Sequence, residues 1–152
     1  RMVRDRYGLP DDWRTRAAKL GADVPACVDS LACIGRGIGT ELTPVDNDLA
    51  QTPILLVNPR VPLATGPVFA AWDGEDRGPL PEGPVSTIAR EGRNDLELPA
   101  IRLCPPIAEV LEWLRGTPAF LVRMSGSGAT CFALYRDDAA LLGAVDRLKA
   151  ER

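Results

Sequence analysis

Residues 119–136 read AFLVRMSGSGATCFALYR. Two apolar, β-prone runs, AFLVRMS and ATCFALYR, flank a pair of glycines at Gly126 and Gly128. Their length and residue types predict two short strands. Glycine weakens a strand and lends no side chain to a core. The glycines therefore mark either a tight turn or a place where a ligand approaches the backbone closely. The segment SGSGAT is neither G-x-x-x-x-G-K-[ST] nor a strand-to-helix G-x-G-x-x-G, so it is neither a P-loop nor a Rossmann turn. Successive backbone N–H groups in a glycine-rich turn can still form an anion-binding concavity.

Working outward, Asp137 is placed to cap a last helix whose Leu141, Val145 and Leu148 share a face. Before the strands, Pro105-Pro106 open a helix with Ile107, Val110, Leu111 and Leu114 at i, i+3, i+4, i+7, and Gly116 stops it. NDLELPAIRL carries an earlier helical piece, with Asn94 or Asp95 as its N-cap. PILLVNP, residues 53–59, reads as a buried strand. TGPVFAAWD reads as a helix with Thr65 as N-cap and Val68, Ala71 and Trp72 on one face, and residues 73–84 as a polar Gly/Pro loop. From residue 53 the order is strand, helix, helix, strand, strand, helix. That is close to a ferredoxin-like α+β lobe, which expects a further edge strand after the last helix. Upstream, DDWRTRAAKL predicts a helix ended by Gly21, ADVP a turn with Val24 held extended by Pro25, and residues 26–45 two short strands. RMVRDRYGLP reads as the end of a helix already in progress. This start and the missing last strand raise the expectation of a piece of a longer chain.

The 152 residues are 45% hydrophobic and 26% charged, enough to build a real core. A net charge of −3 argues against a nucleic-acid backbone or an acidic membrane surface as the main partner. No apolar run reaches the roughly 18 residues of a spanning helix. Cys27, Cys33, Cys104 and Cys131 form no C-x-x-C pair, and their apolar neighbours predict free, buried thiols in a reducing cytoplasm. The chain has no histidine. Ser-His-Asp and Cys-His catalysis within it are excluded, as is a histidine-ligated zinc site.

Four stretches could carry chemistry: LGADVPA (residues 20–26), GRGIGTELTPV (35–45), the Arg93-Asn94-Asp95 turn and the opening SGSGAT (125–130). Each alone has a plain structural reading: a turn aspartate capping an N–H, a hairpin, a helix cap and a turn. Taken in order, with the strand ending in Asn58-Pro59 and T-x-x-V-F between them, they resemble the GHMP small-molecule kinases over nearly the whole chain. The nearest branch of that family phosphorylates a cytidine diphosphate-linked methylerythritol in non-mevalonate isoprenoid synthesis. The resemblance implies a two-lobe α+β kinase with its active site in the cleft between lobes. Residues 1–49 would end the N-terminal lobe and 50–152 form the C-terminal, ferredoxin-like lobe.

The same resemblance implies roles. Asp23 would be the catalytic aspartate, accepting or orienting the proton of the substrate 2-hydroxyl while ATP, with Mg²⁺, supplies the γ-phosphoryl. An aspartate needs no histidine relay to be ionised at neutral pH, and phosphoryl transfer asks mainly for positioning and charge stabilisation. Ser125, Gly126, Ser127, Gly128 and Ala129 would line the transferred phosphate and substrate. Gly37, Ile38 and Gly39 would border the cytosine pocket, with Phe69 packing on the base and Thr65 a polar contact beside it. No metal ligand is assigned within the chain. On this view Gly128→Val keeps the fold and loses turnover.

The chain also departs from the family pattern. The family's ATP loop and N-terminal lysine are absent, Ala26-Cys27 stand where an aromatic often follows D-V-P, and Arg60, expected exposed, replaces a glycine. The 152-residue chain alone is expected not to catalyse. Two rivals stand: another GHMP kinase acting on homoserine, a sugar or mevalonate, and a non-catalytic ferredoxin-like ligand-binding module.

Overall fold

The computed structural model describes Arg6, residues 8–37, Gly39 and residues 41–151. The helix end expected before Gly8 therefore lies, apart from Arg6, outside the described residues. The chain divides into two compact units, Arg1–Asp48 with Gly83–Ser86, and Leu49–Glu82 with Thr87–Arg152.

In the first unit, helices α1 (Trp13–Ala18) and α2 (Val24–Asp29) precede a hairpin of β1 (Cys33–Arg36) and β2 (Glu41–Pro44). The hairpin is antiparallel, with Cys33 opposite Pro44 and Arg36 opposite Glu41. The expected first helix is present and ends three residues before Gly21. Residues 24–29 are helical, where the sequence suggests a turn and the start of a strand. Pro25 sits in the first helical turn, where its missing N–H has no intrahelical partner to lose. Val24 N–H donates to the Gly21 carbonyl (3.1 Å) and Cys27 N–H to that of Asp23 (3.2 Å), and these bonds outweigh the pre-proline preference for extended backbone. Arg14 pairs with Asp29 at 2.7 Å, linking α1 to α2. Residues 83–86 join this unit through Val85 N–H to the Asp46 carbonyl (2.9 Å) and Ser86 N–H to Asp48 Oδ1 (2.9 Å). The Ser86 hydroxyl donates to the same carboxylate.

The second unit holds β3 (Ile54–Val57), α3 (Thr65–Ala70), most of α4 (Val85–Glu91), α5 (Glu97–Leu103), α6 (Pro106–Arg115), β4 (Leu121–Met124), β5 (Cys131–Leu134) and α7 (Asp138–Ala150). It is α+β, as the sequence predicts. The sheet runs β3–β5–β4, antiparallel throughout, with Leu55, Ala133 and Val122 in one row and Val57, Cys131 and Met124 in the next. These two rows join the core with Ile107, Leu111 and Leu114 of α6, all three fully buried. Burying each such side chain stabilises by about 1.5–3 kcal/mol. Tyr135 is also fully buried, and its hydroxyl is satisfied by Thr117 Oγ1 at 3.0 Å. Asp137 caps α7 as predicted, accepting the Ala140 N–H at 2.8 Å.

Three readings change. β3 lies at a sheet edge and is not buried on both faces. Leu55 and Val57 face the core, while Ile54 and Leu56 are 49% and 63% exposed. A continuous apolar run does not reveal which face is covered. Ala71 is exposed and drops out of the predicted α3 face, whose fully buried member is Val68. Helix α4 has no counterpart in the predicted order. Its opening N–H groups are satisfied by Asp46 and Asp48, nearly forty positions away, a partnership no local window contains.

The 73–84 loop is as irregular as predicted, yet it is tied internally. Arg77 bonds the Asp73 carboxylate and holds its pKa down at about 2, with Glu75 N–H also donating to it. A depressed carboxylate keeps its tie above its ordinary pKa and loses it as pH falls through the folded value. The Asp73 carboxyl resonance in a pH titration should therefore move near pH 2, well below a free aspartate; a midpoint near 4 contradicts the tie.

All four cysteines are free, but Cys27 is exposed rather than buried, while Cys104 and Cys131 are enclosed. Burial raises the Cys131 thiol to about 11. In the folded protein at pH 8, a maleimide should modify Cys27 first and leave Cys104 and Cys131 untouched until denaturant is added, as read by peptide mass spectrometry.

Candidate functional site

The predicted site residues fall in both units, and each group has its own geometry. In the first unit, Asp23 occupies the N-cap position of α2 but makes no side-chain capping bond. Aspartate at this position usually accepts an orphan helix N–H. Here the carboxylate is exposed and, among the described residues, has no hydrogen-bond or ion-pair partner. Gly37 and Gly39 lie in the β1–β2 connection with φ of 61° and 90°. A Cβ at Gly39 would stand 3.6 Å from Asp23 Oδ1, an ordinary contact distance, so the carboxylate lies directly beside this glycine. Ile38 lies outside the described residues.

In the second unit, Ser125–Thr130 connect β4 to β5. The connection closes on itself through Ser125 N–H to the Thr130 carbonyl (2.8 Å) and Gly128 N–H to the Ser125 carbonyl (3.0 Å). Three side chains from elsewhere hold it. Asn94 Nδ2 donates to the carbonyls of Met124 (3.1 Å) and Gly126 (2.8 Å). Thr65 Oγ1 meets Ser127 Oγ at 3.1 Å. Asn58 Nδ2 donates to Thr130 Oγ1 at 2.9 Å, with its own Oδ1 fixed by Arg60 N–H at 2.7 Å. The Arg60 side chain is exposed, as expected. The backbone N–H groups of Gly126 and Ser127 meet no acceptor among the described residues. Donors of this kind, in a turn without formal charge, suit an anionic oxygen.

Two capping expectations resolve differently here. Thr65 is the first residue of α3 rather than its cap, with Ala64 before it, and its hydroxyl turns to the glycine loop. Leu96, not Asn94 or Asp95, holds the N-cap position of α5. Asn94 still accepts the Leu96 N–H (3.1 Å), an Asx-type bond. Phe69 lies one helical turn after Thr65 on the same face of α3 and is 55% exposed, so packing does not occupy its ring. Asn58 and Asn94 were not foreseen as loop supports. Both asparagines lie in stretches the sequence singles out, but each reads equally well as local turn chemistry.

The two loop glycines differ. Gly126 has φ 55°, and a Cβ there meets nothing within 4 Å. Gly128 has φ 86°, and a Cβ there would stand 3.0 Å from Met124 Sδ, 3.2 Å from Ile107 Cδ1 and 3.3 Å from Leu63 Cδ2. Its missing side chain faces the core. Gly128→Val therefore cannot simply keep the fold while blocking a ligand.

Residues 83–151 match the family model described as GHMP kinases C terminal. Over that stretch the chain carries a GHMP kinase C-terminal region. Among individual proteins, it is 67% identical to a 4-diphosphocytidyl-2-C-methyl-D-erythritol kinase of Novosphingobium aromaticivorans, over 89% of this chain and 47% of the relative. It is 59% identical to the enzyme of the same name from Erythrobacter litoralis, over 92% of this chain and 55% of the relative. A crystal structure of 4-(cytidine 5′-diphospho)-2C-methyl-D-erythritol kinase superposes with a TM-score of 0.78 at 32% identity, covering 98% of this chain and 57% of that one. The chain thus spans about half the length of the curated relatives it matches.

Gly128→Val should destabilise the protein by about 1–3 kcal/mol through overpacking, with backbone strain in addition. Gly126→Ala should cost only the left-handed backbone penalty, about 1–2 kcal/mol. Urea denaturation of both variants checks the order; equal stabilities would contradict the core-facing placement of Gly128.

Proposed function

We propose that the protein carrying this chain is an ATP-dependent kinase that phosphorylates the 2-hydroxyl of 4-diphosphocytidyl-2-C-methyl-D-erythritol in isoprenoid precursor synthesis. The observation that carries this reading is Asp23: an exposed carboxylate at a helix N-cap position that makes no side-chain capping bond, beside Gly39. Such a group can accept or orient the proton of an alcohol. In this reading residues 1–49 end the N-terminal lobe and residues 50–152 form the C-terminal lobe, and the protein works in the cytoplasm on small molecules, not on nucleic acid or membrane.

ATP supplies the phosphoryl group when bound. The Gly126 and Ser127 N–H donors, with the Ser127 hydroxyl beside them, fit a phosphate oxygen and would hold it by charge-assisted bonds. Ser125, Gly128 and Ala129 shape the same wall. Among the described residues no three carboxylate or thiol groups gather as a metal cage. Mg²⁺ usually takes one or two carboxylates together with the phosphates of a nucleotide, and in this reading it would arrive with ATP. Gly37, Ile38 and Gly39 border the cytosine, Phe69 packs on its face and Thr65 offers a polar contact. The exposed ring of Phe69 supports that role, because stacking on a base needs a free aromatic face.

Asp23→Ala in the protein carrying this chain should lower kcat by several orders of magnitude with substrate binding largely retained. Phe69→Ala should instead raise KM for the cytidine substrate about tenfold or more, in line with about 1–3 kcal/mol for a stacked base. Transfer of ³²P from ATP measures both. Unchanged turnover in Asp23→Ala overturns the kinase assignment, and lack of competition by cytidine diphosphate moves the substrate to another GHMP class.

A further inference from the structure

We infer that Asn94 is the positioning residue that aims the Ser127 N–H at the transferred phosphate, an inference that rests on the kinase reading above. A primary carboxamide offers two N–H donors and one acceptor oxygen. In Asn94 all three are used. Both donors go to the Met124 and Gly126 carbonyls, and Oδ1 takes the Leu96 N–H. A flipped amide would set its oxygen against two carbonyl oxygens, so a single orientation is allowed. The flanking backbone is held as well, since Arg93 Nε pairs with the Asp95 carboxylate (3.0 Å) and Arg93 Nη2 donates to the Gly78 carbonyl (2.8 Å).

The effect on the glycine loop follows from peptide geometry. In a planar trans peptide the C=O of one residue and the N–H of the next point in opposite directions. Fixing the Met124 carbonyl on the Asn94 side sends the Ser125 N–H the other way, to the Thr130 carbonyl at 2.8 Å. Fixing the Gly126 carbonyl on the same side sends the Ser127 N–H away from Asn94, where no protein acceptor meets it among the described residues. Gly126, at φ 55°, supplies the left-handed bend between these two peptides. Asn94 thus decides which face of the turn presents a donor, without touching the substrate itself.

The test uses the protein carrying this chain with two variants. Asn94→Asp keeps the shape and removes both donors. Asn94→Ser keeps a short acceptor for the Leu96 N–H but cannot span both carbonyls. In the kinetic arm, each variant should lose kcat by about 10²-fold, the scale of removing one charge-stabilising donor, while KM for the cytidine substrate stays within about threefold. Loss of thermal stability with kcat intact overturns the inference. In the spectroscopic arm, inorganic pyrophosphate should shift the Ser127 amide resonance in the unsubstituted protein and leave it unmoved in the variants. Equal shifts in all three proteins overturn the inference, as does no shift in any. If the unsubstituted protein transfers no phosphoryl group, the kinase reading fails and the spectroscopic arm alone decides the role of Asn94. Unfolding of both variants would leave Asn94 a stability role only, and the inference would fall.

Discussion

At Gly128 the backbone runs so close to the side chains of Met124, Ile107 and Leu63 that a Cβ there, at 3.0, 3.2 and 3.3 Å from them, would force them to move. Much of the second unit is arranged around that contact. Met124 ends β4, Ile107 opens the buried face of α6, and Leu63 precedes α3. The turn between β4 and β5 is thereby pressed against three of the elements that build the core. Polar bonds from Asn58, Thr65 and Asn94 then orient what the contact has seated. A glycine-rich turn usually gains freedom from its glycines; this one gains rigidity, because one glycine is clamped by packing and the other bends between fixed carbonyls.

The first unit handles its candidate catalytic group in the opposite way. Asp23 has no side-chain partner among the described residues and lies exposed at the start of a six-residue helix. A base that is to accept a substrate proton gains from not being committed to a backbone N–H. The helix nevertheless starts without that cap, because Pro25 occupies the first turn and removes one of the donors needing satisfaction. The sequence D-V-P combines the two roles: a proline that supports the helix start and an aspartate released from supporting it.

The parts of the fold that could be read from the chain are those whose causes are local. The spacing of Ile107, Leu111 and Leu114, the cap at Asp137, the stop at Gly116 and the two strands around SGSGAT each follow from residues within a few positions. Helix α4 did not emerge because Asp46 and Asp48 satisfy its start from far along the chain. The exposed face of β3 did not emerge because hydropathy does not tell an edge strand from a central one. In the candidate site, the glycines, Asp23, Thr65 and Phe69 stood out by motif. Asn94 and Asn58 stood within such motifs too, but their role as loop supports did not emerge, since their partners lie 30 and more residues away and an asparagine at a turn already has a sufficient local explanation.

The two glycines of S-G-S-G carry different evolutionary freedom. At Gly126 only the sign of φ is constrained, and asparagine tolerates that region well enough to stand in for glycine. At Gly128 the constraint is volume, and no coded residue is smaller. Drift at the first position and fixity at the second would record, in the history of the family, which of the two is held by the chain's own handedness and which by its neighbours.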